Sequence, residues 1–131
     1  MEKPIEVAVG VFCLDKERRV CLVRTMKNPD WLTIPGGHPI FGEFLEMSAA
    51  REFLEETGTR VTGLSYVSWI ELPGPDRHLI LFNFTGFATE PCCRPNATQE
   101  IHEVVWLTLD QAKLDPRVLP RHRDELALLF A

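Results

Sequence analysis

Apolar and β-branched residues dominate from Ile5 to Leu14, give way to the polar turn Asp15-Lys16-Glu17-Arg18, and resume from Arg19 to Val23, a pattern that predicts a β-hairpin. Asn28-Pro29-Asp30 breaks the chain before the short apolar run Trp31-Leu32-Thr33-Ile34, which Pro35-Gly36-Gly37 ends. A helical period follows from about Phe44 to Thr57, closed by Gly58, since glycine takes the left-handed conformation that terminates helices. Val61 to Leu72 and His78 to Phe87 read as two strands joined by the turn Pro73-Gly74-Pro75-Asp76, and Glu90 to Gln99 as a polar loop. Val104 to Leu107 reads as a last short strand, Leu109 to Leu114 as a short helix, and Pro120 to Phe130 as a terminal helix with Leu126, Leu129 and Phe130 for packing. The alternation of strands with few helices predicts a mixed α/β domain built on one sheet.

The helix from Phe44 to Thr57 is unusual in what it places opposite its apolar face. At about 100° per residue, Met47, Ala49, Ala50, Phe53 and Leu54 share one broad arc, and Glu52, Glu55 and Glu56 share the other. Carboxylates at i, i+3 and i+4 repel each other by a few tenths of a kcal/mol per pair, roughly, so the bare helix is destabilised. Arg51 reaches Glu55 one turn on, but one cation leaves an excess of negative charge over three carboxylates. Hard divalent cations take carboxylate, water and phosphate oxygens, and this cluster has the composition of such a site.

Length and composition narrow the setting. The chain has 131 residues, 45% of them hydrophobic, which suits one domain over residues 1–131 with a single core. No apolar run approaches a bilayer span and Met1-Glu2-Lys3-Pro4 lacks the regions of a signal peptide, so the expectation is a cytoplasmic protein with no membrane partner. Cys13, Cys21, Cys92 and Cys93 show neither a C-x-x-C pair nor zinc-type spacing, and read as reduced thiols. A net charge of −5 and the absence of a long Lys/Arg block argue against nucleic acid as a partner. An anionic small molecule remains compatible, provided local cations or bound metal reverse the field at its site.

The run Gly37-His38-Pro39-Ile40-Phe41-Gly42-Glu43, with Arg51-Glu52-Phe53-Leu54-Glu55-Glu56-Thr57-Gly58 after it, matches G-x5-E-x7-R-E-U-x-E-E-x-G-U over residues 37–59. At ordinary frequencies of about 5–7% per residue type, a chance match in a chain this long falls below roughly one in a million. By this motif the chain resembles the Nudix hydrolase family, and its Pro35-Gly36-Gly37-His38 form resembles a MutT-like branch. Phe53 stands where a smaller aliphatic residue is usual, and Thr59 where the family prefers an apolar one. Beyond the motif, the hairpin ending in Arg24, the run from Trp31 to Pro35-Gly36-Gly37 and Glu103-Val104-Val105-Trp106 follow the family's order from Val7 to Leu114.

The resemblance implies a mixed-sheet α/β/α sandwich that hydrolyses a diphosphate linkage in a nucleoside diphosphate joined to a group X, with Mg²⁺ or Mn²⁺ as cofactor. It implies Glu52 and Glu56 as the main metal ligands, Glu55 as a further one, and the Gly37 carbonyl as a contributor. Arg51 would orient the carboxylates, and Glu43 has either a helix-start role or a site role. Glu100 and Glu103 are the candidates for the general base. Arg24, Lys27 and His38 are candidate phosphate contacts, and Phe82 and Phe84, with Phe12, Leu32 and Trp69, candidate walls for the base or X group. Small size favours a (d)NTP or modified dNTP cleaved to the monophosphate and pyrophosphate. The alternatives are an ADP-ribose or nucleotide-sugar pyrophosphatase and a non-catalytic nucleotide sensor, which would be expected to have lost one or more of the glutamates. A homodimer is a further expectation of the resemblance, with the terminal helix packing on its own domain or on a twin.

Overall fold

The computed structural model describes residues 2–92 and 101–131; Cys93, Glu100 and most of the expected polar loop lie outside the described residues. Among the described residues nine elements run in the order β1 (Glu6–Leu14), β2 (Arg19–Thr25), β3 (Gly36–Gly37), α1 (Leu45–Thr57), β4 (Thr62–Pro73), β5 (His78–Phe87), β6 (Ile101–Thr108), α2 (Leu109–Leu114) and α3 (Pro120–Leu129). The main sheet has the order β4-β5-β1-β2-β6, with β3 paired to β1. β1 and β5 run parallel from Glu6↔Leu79 to Leu14↔Phe87, and the other pairings are antiparallel, so the sheet is mixed as expected.

The predicted hairpin forms, but its strands do not stay together. Asp15 builds the turn, its Oδ1 accepting the amides of Glu17 at 2.9 Å and Arg19 at 2.8 Å, and Leu14 pairs with Val20. Farther from the turn the two strands part, and residues 33–37 enter between them. Thr33 bonds Val23 in both directions at 2.8 Å, the Val11 amide donates to Pro35 O at 2.9 Å, and Gly36 and Gly37 pair with Gly10 and Val9. The sequence reading took Pro35-Gly36-Gly37 as a break; its two glycines are instead a strand. Only a residue without a Cβ fits at position 36, because a Cβ there would overlap the Val9 carbonyl.

Strand alternation divides the core between the two faces of the sheet. Val9, Val11, Cys13, Cys21, Val23 and Phe84 pack under α1 with its buried Ala49 and Phe53. Phe12, Leu14, Val20, Leu22 and Leu32 pack on the other face with Leu109, Ala112, Val118 and Leu126 of the C-terminal segment. The large residue at position 53 is thus accommodated, fully buried, in the first cluster. The terminal helix lies on its own domain, with Leu126 buried and Leu129 and Phe130 packed against the second cluster. Among the described residues no helix is long and apolar enough to cross a membrane.

Helix α1 ends as the sequence predicts, with Gly58 at φ 71° and its amide donating to Leu54 O at 2.9 Å. Thr59, the polar residue at an apolar position of the motif, is 1% exposed. Its amide donates to Thr57 Oγ1 and its hydroxyl accepts the Cys92 amide at 2.9 Å, so the polarity is satisfied inside the fold. Trp106 Nε1 donates to Cys92 O at 3.0 Å and fixes the same backbone from β6.

Candidate active site

The wedge of residues 33–37 presses the glycine backbone against the acidic face of α1. The Gly36 amide donates to Glu56 Oε1 at 2.7 Å. At Gly37 the helix comes so close that a Cβ would overlap the Glu52 carboxyl, so glycine here is a requirement of approach. Strand and helix therefore meet at two carboxylates and two glycines.

Arg51 organises the rest. Its Nε and Nη2 fork onto Glu43 Oε2 and Oε1 at 2.8 and 3.0 Å, while Nη1 donates to Glu52 Oε1 at 2.9 Å and to both Glu55 oxygens at 3.3 Å. Nη2 also donates to His38 O at 3.1 Å, tying the loop after β3 to the helix. Glu43 makes no cap on α1; it accepts Arg51, the Ser48 hydroxyl at 2.5 Å and the Ile40 amide at 3.2 Å. The Arg51 guanidinium, then Ser48, holds the Glu43 carboxyl down to about 2. Arg51 itself is pushed above its ordinary value, first by Glu43 and then by Glu52 and Glu55.

Burial, joined by the charges of Glu52 and Glu55, pushes the Glu56 carboxyl up to about 7 against the opposing effect of the Gly36 bond. Removal from water is the main cause, and the two neighbouring carboxylates add to it. The donor set is oxygen only, which fits a hard divalent cation. Among the described residues no three carboxylate, His or Cys groups converge into a closed cage. That also fits Mg²⁺, which binds through one or two carboxylates and keeps water and phosphate oxygens for the remaining positions.

A cleft of about 630 Å³ opens beside these carboxylates. Glu52, Glu56, Gly37, His38 and Lys27 line it, together with Ala8, Gly10, Leu79 and Leu81 of the sheet and Leu119, Arg121 and His122 from the start of α3. Arg77 stands at it too, forked onto Glu6 at 2.8 and 2.9 Å, with His38 Nε2 at 3.4 Å from the same carboxylate.

The remaining candidates lie elsewhere. Arg24 and Glu103, proposed separately as a phosphate contact and a base, are register partners on β2 and β6 and bond to each other at 2.9 Å. Neither lines the cleft. Phe82 and Phe84 project from β5 to the α1 face, where Phe84 is 6% exposed beside Phe53. The cleft is lined from β5 by Leu79 and Leu81, one position out of phase, which supply the wall that the two phenylalanines were expected to supply. Phe12 and Leu32 are buried in the second core cluster, and Trp69 is 57% exposed on the edge strand β4. Arg77, Arg121 and His122 carry no motif spacing and were not singled out.

The NUDIX domain family matches residues 4–129 of the chain. No curated protein matches it. Among solved structures, the MutT protein from Methanosarcina mazei Go1 superposes with a TM-score of 0.81 at 21% identity, covering 98% of this chain and 94% of that one. A MutT NUDIX hydrolase from Burkholderia pseudomallei gives 0.80 at 18% identity over 95% and 98% of the two chains. The NUDIX domain of Shewanella oneidensis NrtR, complexed with ADP ribose, gives 0.80 at 17% identity over 98% and 89%.

Proposed function

The chain belongs to the Nudix family, and from that premise we propose that it is a divalent-metal-dependent hydrolase of a nucleoside diphosphate linked to a further group, acting on a (d)NTP or modified dNTP. Water attacks phosphorus, the P–O–P bridge breaks, and a nucleoside monophosphate and pyrophosphate leave. The observation that carries this reading is the contact of Gly36 and Gly37 with Glu56 and Glu52 at the edge of the cleft. It sets two carboxylates where a polyphosphate would pass and lets the backbone approach without side chains between.

Glu52 and Glu56 would hold the cation, with Glu55 reaching it directly or through water and the Gly37 carbonyl adding a ligand. When bound, the metal would neutralise the phosphate oxygens and lower the pKa of water. Arg51 is a positioning residue, because it holds the carboxylates of Glu43, Glu52 and Glu55 and the His38 carbonyl and does not line the cleft. Lys27, Arg77 and Arg121 bring cationic side chains to the cleft of a protein whose net charge is −5, which supports an anionic ligand. Glu103 is held by Arg24, so a base role there requires that pair to open.

The NrtR domain complexed with ADP ribose shares the fold, and ADP-ribose is the second substrate to be tested. The experiment is chromatographic product analysis with Mg²⁺ over dNTPs, oxidised dNTPs, NTPs, ADP-ribose and NADH, with Glu56→Gln in parallel. Conversion of a triphosphate to its monophosphate by the wild type alone supports the proposal. Conversion of ADP-ribose alone moves the assignment to the sugar-linked class, and no turnover with any divalent metal leaves a nucleotide-binding sensor.

A further inference from the structure

A polar chain lies under the α3 end of the cleft, apart from the carboxylates. His122 is 2% exposed and lines the cleft, with its Nδ1 at 2.9 Å from Glu125 Oε1. Glu125 Oε2 accepts Asn83 Nδ2 at 3.1 Å, and the same amide nitrogen reaches Ser68 Oγ at 3.4 Å. A carboxylate can only accept, so the Asn83 amino group must face it, and Asn83 Oδ1 is left buried without a partner. That oxygen lies behind the cleft floor, where a Cβ at Gly10 would stand 3.4 Å from it.

The same logic fixes the imidazole. Glu125 accepts at Nδ1, so Nδ1 carries the proton, and burial holds the ring's pKa below its ordinary value, which keeps it neutral at neutral pH. Nε2 is then a lone-pair acceptor with no partner among the described residues. Phe12 sets the plane of the ring by an edge contact at 5.9 Å and 90°. Next to it Arg121, also in the cleft wall, can only donate. Ala8, Leu79, Leu81 and Leu119 supply apolar walls around this end. Apolar side chains with the Nε2 acceptor and the Arg121 guanidinium beside them suit a flat heteroaromatic ring, whose faces bury against the apolar groups and whose edge N–H can donate to Nε2.

We propose that His122 is a specificity-determining residue that accepts a hydrogen bond from an N–H of the substrate's nucleobase, with Glu125 and Asn83 as the positioning residues that present Nε2. A core histidine that only staples α3 to the sheet needs no carboxylate and no buried amide behind it, and the unsatisfied Asn83 oxygen is a cost such a role leaves unexplained. The assignment rests on the nucleotide-hydrolase reading for the identity of the ligand, and its test is therefore made without metal and without turnover.

Binding of the common ribo- and deoxyribonucleoside monophosphates and of ribose 5-phosphate is measured by calorimetry in EDTA, for the wild type and for His122→Phe, which keeps a ring against Phe12 and removes Nε2. At least one monophosphate should bind the wild type more tightly than ribose 5-phosphate does. His122→Phe should weaken that monophosphate by about tenfold or more and leave ribose 5-phosphate unchanged. Should the variant fail to fold, the wild type decides alone: the analogue of the preferred monophosphate methylated at its donor nitrogen should bind about tenfold or more weakly. Glu125→Gln, which can donate to Nδ1 and move the ring proton to Nε2, should weaken the preferred monophosphate by about tenfold in the same calorimetry and leave ribose 5-phosphate unchanged. Equal binding of the preferred monophosphate by His122→Phe and wild type, equal binding of the methylated analogue, or no preference for any monophosphate over ribose 5-phosphate overturns the proposal. Absence of hydrolysis with Mg²⁺ would count against the enzymatic reading and leave these binding outcomes intact.

Discussion

The Gly36 amide donates to Glu56 Oε1 across 2.7 Å, so one hydrogen bond joins a two-residue strand to the acidic face of α1. Glu56→Gln preserves the shape and the acceptor oxygen but removes the charge. The expected result is a fold unchanged by circular dichroism and a kcat/KM reduced by at least about a hundredfold with Mg²⁺ at saturation.

Gly36 and Gly37 are adjacent and should fail differently. Gly36→Ala sets a Cβ against the Val9 carbonyl, a backbone atom in the middle of the sheet, and should cost about 1–3 kcal/mol, read as a lower midpoint in urea. Gly37→Ala sets its Cβ against the Glu52 carboxyl, which can swing away. Stability should change little while Mg²⁺ affinity and turnover fall, so paired unfolding and activity curves separate the two roles.

Arg51→Lys keeps the charge and loses the fork. A single ammonium cannot hold Glu43 through two bonds and still reach Glu52, Glu55 and the His38 carbonyl. Activity should drop by about 10–100-fold, with the loss shared by Glu43→Gln and the double variant little worse than either single one.

The pH dependence of stability carries a sign. The folded-state value of Glu43, about 2, lies below the ordinary 4.5, so its contribution is complete above pH 4.5 and is lost as pH falls through that window toward 2. Chemical unfolding of wild type and Glu43→Gln across pH 3 to 7 should show a stability gap that is constant above about pH 4.5 and narrows below it. A gap that widened on acidification would contradict the pairing with Arg51.

Metal should also be visible without substrate. A cation bound only by the folded chain stabilises it by mass action, by about 2.7 kcal/mol at a hundred times its dissociation constant. Thermal scans in Mg²⁺ should therefore shift upward relative to EDTA for the wild type and far less for a Glu52→Gln, Glu56→Gln pair.

What the sequence made legible was whatever has a period or a spacing. The acidic face of α1, the Gly58 stop and the fold class were readable for that reason. Gly36–Gly37 was not readable as a strand, since glycines show no alternation and this pairing depends on a gap between β1 and β2 that only the folded sheet creates. Phe82 and Phe84 were assigned to the cleft because aromatic surface was sought without strand parity, which the pairing of Ala8 with Leu81 supplies. Arg24 and Glu103 were given two jobs because residues 79 positions apart show no partnership in one dimension. The His122, Glu125 and Asn83 network left no trace for the same reason, coming from two elements and obeying no motif.

The wedge between β1 and β2 is anchored from the far end of the chain. The Leu32 amide donates to Arg117 O at 2.7 Å, and the Leu119 amide donates to Leu32 O at 2.9 Å. A motif written in one unbroken stretch of sequence is thus seated by residues made well after it. During synthesis the glutamates of α1 emerge before the segment that braces their glycine clamp, so the clamp is not seated until residues 117–119 dock on Leu32. A substitution that unseats residues 117–119, far in sequence from the carboxylates of α1, should loosen residues 33–37 as surely as a change within them.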